Sequence, residues 1–400
     1  MGGLLTAASP AAARPAGPAF SQPCPGPQPL VKNAKWSKRR IAPGVSVSTG
    51  TANDLTVRGQ PGAVQMHVLR VGLNQAGISF GPLERHLADR LPLSHLAANH
   101  GNLVAATNTG FFDFDTGAPH GPFFRSGTPY VLTRRPQPVI AFTTKHQPIS
   151  TEAWLDGSAT ADGTSVPLMS LNSPVPPSGL SIYDAKWGGT ASIPAYGRHD
   201  VVRRLQNGKV ASGSLNGNDT PTTGRLLLAT SQQTEKWLSG LPKGSPIKVT
   251  TGLETTTKQS LSQGYGVGKE LVDPTGKMAT GLSCNERDTQ AARTAVGVSR
   301  NGRTLIILVV TDVEFCFGNC PKREIHGLDM KELSRVMRDL GAGWAWDWDG
   351  SGSSEMIARL PSTHKLTVLN YCSDGVERPM PLGFGVYFHP SKARSKSRKG

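Results

Sequence analysis

The segment 302–348 constrains the fold more than any other part of the chain. It opens with "GRTLIILVVTD", a near-continuous aliphatic run that is typical of a strand buried on both faces. The run "GLDMKELSRVMRDLGAG" follows with apolar residues at helical spacing, and Asp329 is a candidate N-cap with Glu332 three residues later. Gly341 is the candidate C′ residue that ends this helix. The chain then enters "WAWDWDG", which alternates as a strand does, so the order predicts a βαβ unit.

Two carboxylates lie at the end of the second strand of this unit. On a strand, the three tryptophans of "WAWDW" would share one face, and Asp347 and Asp349 would project from the other. Burying an isolated carboxylate is costly, so both side chains need cations, hydrogen-bond donors, water or a ligand. Ligand sites in open sheets favour strand ends. We therefore expect Asp312, at the end of the first strand, to meet Asp347 and Asp349 at neighbouring strand ends.

The rest of the chain predicts mostly short strands. "AVQMHVLRVGL" (63–73) alternates with period two, and "NLVAATNTGFFDFDTG" (102–117) is typical of a buried strand that stops in a loop. Residues 150–255 pair short alternating runs around turns, and "PLSHLAANHG" and "TSQQTEKWLSGL" favour two short helices. The predicted fold class is α+β, with a mixed β-sheet core and few helices. It has a strand-rich middle section and a C-terminal βαβ-like unit.

Positive charge is concentrated at the two ends of the chain. The formal net charge is +15, and residues 1–40 and 389–400 contain many cations and no acid. Flexible solubilising ends have this composition, and such ends could also bind anionic wall polymers. The location of the charge argues against a nucleic-acid-binding domain. We expect a disordered Ala/Pro-rich, basic leader at 1–40, one domain at 41–388 and a disordered basic tail at 389–400.

Cysteine usage suggests disulfides. Four of the five cysteines lie in the C-terminal third, which favours two disulfides in an oxidising compartment. Cys316 and Cys320 in "CFGNC" could close a small loop, which would leave Cys284 with Cys372. Free thiols and a zinc site are the alternatives, but "CFGNC" has no second Cys or His pair at zinc-finger spacing. The first 30 residues lack the charged and apolar regions of a signal peptide, so export is an inference.

Four short segments carry the residues best suited to chemistry. They are "NTGFFD" with Asn108, Thr109, Gly110 and Asp113, "ERDTQAARTAVG" with Glu286, Arg287, Asp288 and Arg293, "DWDGSGSS" with Asp347, Asp349, Gly350, Ser351, Ser353 and Ser354, and "SDGVERPMPLGFGVYF" with Asp374, Glu377 and Arg378. An arginine entering an apolar strand must satisfy five donors, so Arg293 normally faces a phosphate or a carboxylate. A structural ion pair with Asp347 or Asp349 is the alternative. No Ser-His-Asp triad is evident, and His120 and His326 fit ordinary surface residues.

These four segments, in this order, resemble the phosphodiester glycosidase family. Family members typically show Asn-Gly-Gly-Phe-Phe, Arg-Thr-Ala-Ile/Val-Gly, Leu-Asp-Gly-Gly-Gly-Ser and Glu-Arg-Pro segments, and this chain has "NTGFF", "RTAVG", "WDGSGS" and "ERP" over about residues 60–388. Thr109 replaces a family glycine, Trp348 replaces an aliphatic residue, and Ser351 replaces the central glycine of the triplet. The resemblance implies hydrolysis of a sugar-1-phosphodiester, which releases a free sugar and a phosphomonoester.

The implied reaction suggests roles for the motif residues. A departing phosphate is already a stable anion, so a strong general acid is less necessary than in ordinary glycoside hydrolysis. Arg293 and Arg378 are candidates to clamp the phosphate. Asp349 first, and Asp347 second, are the candidates to activate water or stabilise an oxocarbenium-like centre. The candidate substrate-binding residues are Asn108, Gly110, Gly350, Ser353, Glu377 and Arg378.

The sequence gives less direct evidence on the cofactor, the partners and the cellular location than on the fold. No cofactor follows with certainty, although Asp312 and Asp349 could hold a divalent cation such as Ca²⁺ or Mg²⁺. The expected partner is a glycan or phosphoglycan substrate, with wall association through the basic tails and no specific nucleic acid. No run of about 18 apolar residues predicts a membrane span. The family and the expected disulfides favour a secreted or wall-associated bacterial protein. An O-glycosidase acting on a phosphate-free polysaccharide and a non-catalytic glycan-binding wall protein remain alternatives.

Overall fold

The computed structural model describes residues 29–57, 60–188, 192–194, 200–212, 220–221, 224–282, 290–313 and 325–390. The helices are α1 (Leu30–Asn33), α2 (Leu93–Leu96), α3 (Gln232–Ser239) and α4 (Met330–Asp339). The first strands are β1 (Lys35–Ala42), β2 (Val45–Val57), β3 (Gln60–Gly72), β4 (Ile78–Glu84), β5 (Leu103–Asn108), β6 (Phe123–Arg125), β7 (Thr128–Thr133), β8 (Gln137–Thr143), β9 (Pro148–Ala161), β10 (Thr164–Leu171) and β11 (Leu180–Tyr183). The later strands are β12 (Val201–Gln206), β13 (Lys209–Ser212), β14 (Arg225–Ala229), β15 (Lys248–Thr255), β16 (Leu261–Gly266), β17 (Glu270–Val272), β18 (Arg293–Ser299), β19 (Thr304–Val310), β20 (Ala342–Trp348), β21 (Met356–Arg359), β22 (Leu366–Val368) and β23 (Leu382–Phe388).

The described strands form three sheets. Sheet A has the order β1-β2-β3-β19-β18-β20-β17, and sheet C has the order β22-β21-β5-β23-β4. Sheet B has the order β13-β12-β14-β11-β10-β7-β6-β16-β8-β9-β15. Within sheet B, β10 pairs with β9 through residues 164–167 and with β7 through residues 170–171. Strands β9, β10, β7, β6, β16 and β8 therefore close into a small barrel.

The aliphatic run of β19 forms a central strand of sheet A, as its composition predicts. Leu305, Ile307 and Val309 face a core shared by the three sheets, whereas Ile306 and Leu308 face a second core under α4. We call the first the central core; it includes Val296, Ile307, Trp348, Phe142, Tyr265, Phe80 and Phe384. We call the second the helix-side core; it includes Ile306, Leu308, Ala295, Ala345, Leu333 and Met337. Burial on both faces explains why no polar residue interrupts this strand.

Helix α4 begins and ends at the predicted signals. The Asp329 side chain accepts from the backbone N–H of Glu332 at 2.7 Å, and the Glu332 side chain accepts from the backbone N–H of Asp329 at 3.2 Å. Gly341 follows the helix with φ +94°. The helix connects β19 to β20, which run parallel because each is antiparallel to β18 between them. The α+β fold class with a βαβ-like C-terminal unit is confirmed.

The position of β18 corrects one detail of that prediction. Because β18 lies between β19 and β20, the ends of the two parallel strands are one strand apart. Asp312, which follows β19, and Asp349, which follows β20, are therefore not at neighbouring strand ends. The sequence between β18 and β19 is a tight turn, so the two strands pair as a hairpin before the helix crosses over.

Three aromatic rings join the three sheets. Trp348 ends β20 in sheet A, Tyr265 lies on β16 in sheet B, and Phe384 lies on β23 in sheet C. Their ring centroids are 5.5 Å apart for Tyr265 and Phe384, 5.6 Å for Trp348 and Phe384, and 6.2 Å for Tyr265 and Trp348. All three side chains are buried. Aromatic pairs at such separations stabilise a core beyond the area they bury.

The folded part of the chain starts earlier than predicted. Residues 29–40 were expected to belong to the disordered leader, but Leu30 is buried in the helix-side core and β1 pairs antiparallel with β2. The cations of β1 remain exposed, so the strand can complete the sheet edge without burying charge. The leader up to residue 28 and the tail from residue 391 lie outside the described residues.

The disulfide prediction is not confirmed. Cys372 carries a free thiol, so the pairing expected for it is not present in the structure. Cys24, Cys284, Cys316 and Cys320 lie outside the described residues. Among the described helices, none is both long enough and apolar enough to cross a membrane.

Candidate active site

A narrow cleft lies where sheets A and C meet. It is lined by Asn108, Thr109, Gly110, Phe112, Asp349, Ser353, Met380, Pro381 and Leu382. The backbone N–H of Asp349, which follows β20, donates to the carbonyl of Thr109, which follows β5, at 2.9 Å. The Thr109 hydroxyl donates to the carbonyl of Leu382 on β23 at 3.1 Å. These bonds fix the ends of three strands from two sheets around one opening.

Asn108 holds the walls of this cleft together. Its side chain is buried, and its amide N–H donates to the carbonyl of Asp349 at 2.8 Å. Its amide oxygen accepts from the Thr294 hydroxyl at 2.8 Å and from the backbone N–H of Glu355 at 3.2 Å. Three of the four motif segments thus meet at one amide. The hydrogen bond from this amide to the carbonyl of Asp349 fixes the position of that residue at the cleft.

Asp349 and Arg378 lie side by side at this cleft. Burial raises the pKa of the Asp349 carboxyl, while a hydrogen bond from Ser353 and the positive charges of Arg378 and His120 oppose the rise. The backbone N–H of Gly350 also donates to Asp349 Oδ1 at 2.9 Å. Arg378 donates to Ser353 Oγ at 3.4 Å, so the fourth motif segment also reaches the cleft. Sequence reasoning placed Asp349, Gly350, Ser353 and Arg378 together, and the structure brings them together.

Arg378 is held by a bidentate ion pair. Its Nε and Nη2 donate to the two oxygens of Asp374 at 2.7 Å and 3.0 Å. The Phe114 ring covers the guanidinium, with the Arg378 Cζ 5.3 Å from the ring centroid. Paired hydrogen bonds fix the plane of an arginine as well as its position. Arg378 therefore presents its remaining N–H donors in a defined direction beside Asp349.

Asp347 occupies a different environment from Asp349. Its side chain is on the helix-side face of β20, is 5% exposed and is not among the residues that line the cleft. Its carboxylate accepts from the backbone N–H of Lys269. Burial raises its pKa to about 7, against that hydrogen bond and the charges of Arg293 and Lys269. The two aspartates separate because Trp348 is the last residue of the strand, so Asp349 no longer follows its alternation.

Arg293 lies with Asp347 rather than in the cleft. Its Nε donates to the carbonyl of Leu328, just before α4, at 2.9 Å. It precedes Ala295 by two on β18, so it shares the helix-side face of sheet A with Asp347. Its charge acts on Asp347, and its guanidinium also lies near Gly350, because a Cβ on Gly350 would be 3.6 Å from Arg293 Nη1.

The tryptophans of "WAWDW" are part of the fold rather than the cleft lining. Trp348 is buried, Trp344 and Trp346 pack against the central core, and the Trp346 indole N–H donates to Ser150 Oγ at 3.0 Å. Their shared face confirms the strand alternation. Exposed aromatic surface near the cleft comes instead from Phe111 and Phe114, which are 39% and 61% exposed.

A buried acid that the sequence did not reveal lies behind the cleft. Glu355 is fully buried, and no described group donates to its carboxyl oxygens. Burial and the charge of Glu377 raise its pKa to about 9, so it is neutral at pH 7. Glu377, a predicted substrate-binding residue, accepts from the backbone N–H of Ser94 in α2 at 3.0 Å, and its charge contributes to the raised pKa of Glu355. Nothing in "SSEM" signals burial, because the loop composition is polar.

Two glycines of the motifs are required by close packing. A Cβ on Gly110 would lie 2.5 Å from the carbonyl oxygen of Gly266. A Cβ on Gly352 would overlap both Asp374 and Arg378. The backbone at these positions therefore approaches its neighbours more closely than any other residue allows.

A metal site has no support in the part of the chain that the structure describes. No group of three His, Cys, Asp or Glu side chains there is arranged to hold a cation. Asp312 and Asp349, the two candidate ligands, follow strands that β18 separates.

Replacing Asp347 by Asn should change the pH dependence of stability. A pKa raised from 3.8 to about 7 means that the folded state binds the proton more tightly than the unfolded state. The native protein should therefore lose stability as pH rises from about 4 to about 7, relative to Asp347→Asn. Urea unfolding should show the variant more stable by roughly 2–4 kcal/mol at pH 8 and not at pH 4. A difference that is independent of pH would contradict this assignment; exposed Asp339→Asn is the control.

Adjacent residues in the "GSGS" turn should respond in opposite directions. Ser351 has φ +51°, a left-handed conformation that favours glycine, so Ser351→Gly should raise the free energy of unfolding by roughly 1 kcal/mol. Gly352→Ala should lower it by about 1–3 kcal/mol, because the new methyl displaces the Arg378–Asp374 pair. Thermal unfolding of both variants measures the effect. Equal shifts for the two would show that the turn geometry is misassigned.

Comparison with known proteins places these motifs in a family. Residues 200–387 match the model of the phosphodiester glycosidase family. No curated protein matches the chain in sequence. A hypothetical protein from Synechocystis has a similar structure at TM-score 0.68 and 21% identity, over 86% of this chain. This chain spans 62% of that protein.

Two further solved structures are similar to this chain. A Burkholderia pseudomallei protein whose name suggests export matches at TM-score 0.69 and 16% identity, over 93% of this chain and 100% of that one. The catalytic domain of zebrafish N-acetylglucosamine-1-phosphodiester alpha-N-acetylglucosaminidase, auto-inhibited by its pro-peptide, matches at TM-score 0.45 and 14% identity, over 91% of each chain. Identities this low establish similarity of fold alone. The family match over residues 200–387 contains three of the four motif segments and confirms their resemblance to the phosphodiester glycosidases, which are hydrolases.

Proposed function

We propose that this protein hydrolyses glycosyl phosphodiester bonds in glycans or cell-wall polymers. The observation that carries the proposal is that Asp349 and Arg378 both form a hydrogen bond with the Ser353 side chain at the cleft. A glycosyl phosphodiester presents an electrophilic sugar carbon next to an anionic phosphate. A carboxylate and a guanidinium side by side match those two charges.

Asp349 is the residue that acts on the sugar carbon. Water attacks the anomeric carbon, Asp349 takes the proton of that water, and the bond from carbon to the phosphate oxygen breaks. The products are a free sugar and a phosphomonoester. Burial raises the pKa of Asp349, which makes it a stronger base than an exposed aspartate.

Arg378 binds the departing phosphate. Asp374 and Ser353 engage three of its five N–H donors among the described residues, which leaves two for phosphate oxygens. The bidentate pair with Asp374 holds the guanidinium plane before substrate arrives. Preorganised donors of this kind stabilise developing negative charge without reorganisation.

Exposed aromatic rings supply sugar contacts. Phe114 packs on Arg378, and Phe111 lies on the same loop after β5. The apolar face of a sugar ring packs against such rings. Leaving large aromatic side chains exposed to water is unfavourable, so exposed rings often mark a binding surface. We assign the sugar contacts to these phenylalanines and not to the tryptophans. We assign Asn108 to positioning Asp349, and Arg293 and Asp347 to stabilising the fold.

The proposed setting is outside the cytoplasm. Its support is the name of the Burkholderia pseudomallei protein with the same fold and the row of exposed cations on β1, which would bind an anionic wall polymer. A divalent cation such as Ca²⁺ or Mg²⁺ stays a prediction, and a chelator arm of the assay addresses it.

Asp349→Asn should abolish hydrolysis. The purified protein would be incubated with sugar-1-phosphodiesters, including methyl esters of N-acetylglucosamine 1-phosphate, and with wall polymers, with and without chelator. Reducing sugar and newly exposed phosphomonoester would be quantified. We expect kcat to fall by about 10³-fold or more, because the base is removed without changing the shape of the side chain.

Asp347→Asn is the matched control for this experiment. It removes a carboxylate two residues away that does not line the cleft, so kcat should stay within about tenfold of the native value. Turnover that survives Asp349→Asn would remove Asp349 from the mechanism. Glycan binding by the native protein without any turnover would favour the non-catalytic wall protein instead.

A further inference from the structure

An aspartate–histidine pair lies on the loop that leads out of the cleft. The carboxylate Oδ2 of Asp113 is 3.9 Å from Nε2 of His120, an electrostatic contact slightly longer than a hydrogen bond. The His120 side chain is 42% exposed, so a substrate can reach its ring. The sequence indicates Asp113 only as part of "NTGFFD" and predicts an ordinary surface residue at His120.

The loop that carries this pair is closed on itself. The backbone N–H of His120 donates to the carbonyl of Phe111 at 2.9 Å, and the backbone N–H of Asp113 donates to the carbonyl of Ala118 at 2.9 Å. Thr109, Gly110 and Phe112, at the start of the loop, line the cleft. The hairpin therefore holds Asp113 and His120 in fixed register beside the opening.

Asp113 is oriented to serve the histidine. Its Oδ1 accepts from the backbone N–H and the hydroxyl of Thr116 at 2.7 Å and 2.8 Å, which leaves Oδ2 toward His120. Burial acts to raise the pKa of Asp113, but the Thr116 hydrogen bonds and the charge of His120 lower it overall. A carboxylate fixed in this way can orient the imidazole ring of His120.

The charge of His120 also reaches Asp349. Together with Arg378, it opposes the effect of burial on the pKa of that carboxyl. The charged groups near His120 are thus Asp113 on its own loop and Asp349, which follows β20 and also interacts with the charge of Arg378. Acid–base hydrolysis of a glycosidic bond requires one group that gives a proton to the leaving oxygen and a second group that acts on the attacking water.

We propose that His120, oriented by Asp113, is a catalytic acid that protonates the leaving oxygen, so that the protein also cleaves O-glycosides of the sugar it recognises. The inference rests on the proposed function of Asp349 as the base. Water adds to the anomeric carbon, Asp349 takes one proton of that water, and the bond from the anomeric carbon to the leaving oxygen breaks. His120 gives its proton to that oxygen, so a neutral alcohol departs.

The need for the acid depends on the leaving group. A phosphomonoester or 4-nitrophenolate departs as a stable anion, whereas an alkoxide does not. General acid catalysis contributes about 10²–10⁴-fold where it is needed. An acid at His120 would therefore matter little for glycosyl phosphodiesters and greatly for alkyl glycosides.

The test compares His120→Gln with the native protein on three substrates of one sugar. These are the methyl phosphodiester, the 4-nitrophenyl glycoside and the methyl glycoside of the sugar that the native protein hydrolyses fastest. We expect kcat/KM for the methyl glycoside to fall by about 10²-fold or more and for the other two by less than about tenfold. The fall of methyl glycoside hydrolysis at alkaline pH should disappear in the variant, and Asp113→Asn should show a weaker form of the same pattern.

His86→Gln is the matched control, because His86 is 41% exposed, pairs with Asp89 at 2.9 Å, and neither residue lines the cleft. It should leave all three rates unchanged. Equal losses on all substrates in His120→Gln, or no methyl glycoside hydrolysis by the native protein, would overturn the inference and leave the phosphodiester proposal standing. Absence of hydrolysis of any substrate by the native protein would overturn both.

Discussion

The contact among Trp348, Tyr265 and Phe384 determines where this protein can carry a site. Each ring comes from a different sheet, and all three are buried within 6.2 Å of one another. Asp349 follows Trp348 directly, so the residue that joins the sheets also sets the position of the carboxylate. The cleft exists because the ends of β5, β20 and β23 are brought together next to this contact.

An aromatic core beside a cleft has electrostatic consequences. Carboxylates near it lose water, and burial raises the pKa values of Asp347, Asp349 and Glu355. The cost of burying each carboxylate is offset in a different way. Asp347 accepts a hydrogen bond from a backbone N–H and lies near an arginine, and Asp349 interacts with Ser353 and Arg378. Glu355 binds a proton and is neutral at pH 7. Only Asp349 keeps access to the cleft. The same desolvation therefore acts on three similar side chains, of which one lines the cleft and two lie in the interior.

Local signals in the sequence were sufficient to predict individual helices and strands, but not which strands pair with each other. The aliphatic run of β19, the capping box of α4 and Gly341 each act over a few residues, and the structure confirms all three. The insertion of β18 between β19 and β20 depends on a hairpin that competes with direct pairing, so composition could not reveal it. The pairing of β1 with β2 was missed because exposed cations on an edge strand have the composition of a disordered leader.

The part of the candidate site that lies within one sequence motif could be predicted from the sequence. Asp349, Gly350 and Ser353 lie within five residues, and Arg378 reaches them through Ser353. Glu355 and the Asp113–His120 pair depend on loop closure and on contacts between distant segments. Their spacing along the chain carries no periodic signal, so only the fold reveals them. The same limit applies to Asn108, whose amide holds three segments and whose residue type suggested a ligand contact.

The source of the oxygen in the products tests the central claim most directly. Hydrolysis of a sugar-1-phosphodiester in water enriched in ¹⁸O would be followed by mass spectrometry of the released sugar and phosphomonoester. If Asp349 directs water to the anomeric carbon, the label appears in the anomeric hydroxyl and not in the phosphate. Label in the phosphomonoester would mean that the bond between phosphorus and oxygen breaks, and attack at the sugar carbon would then be wrong.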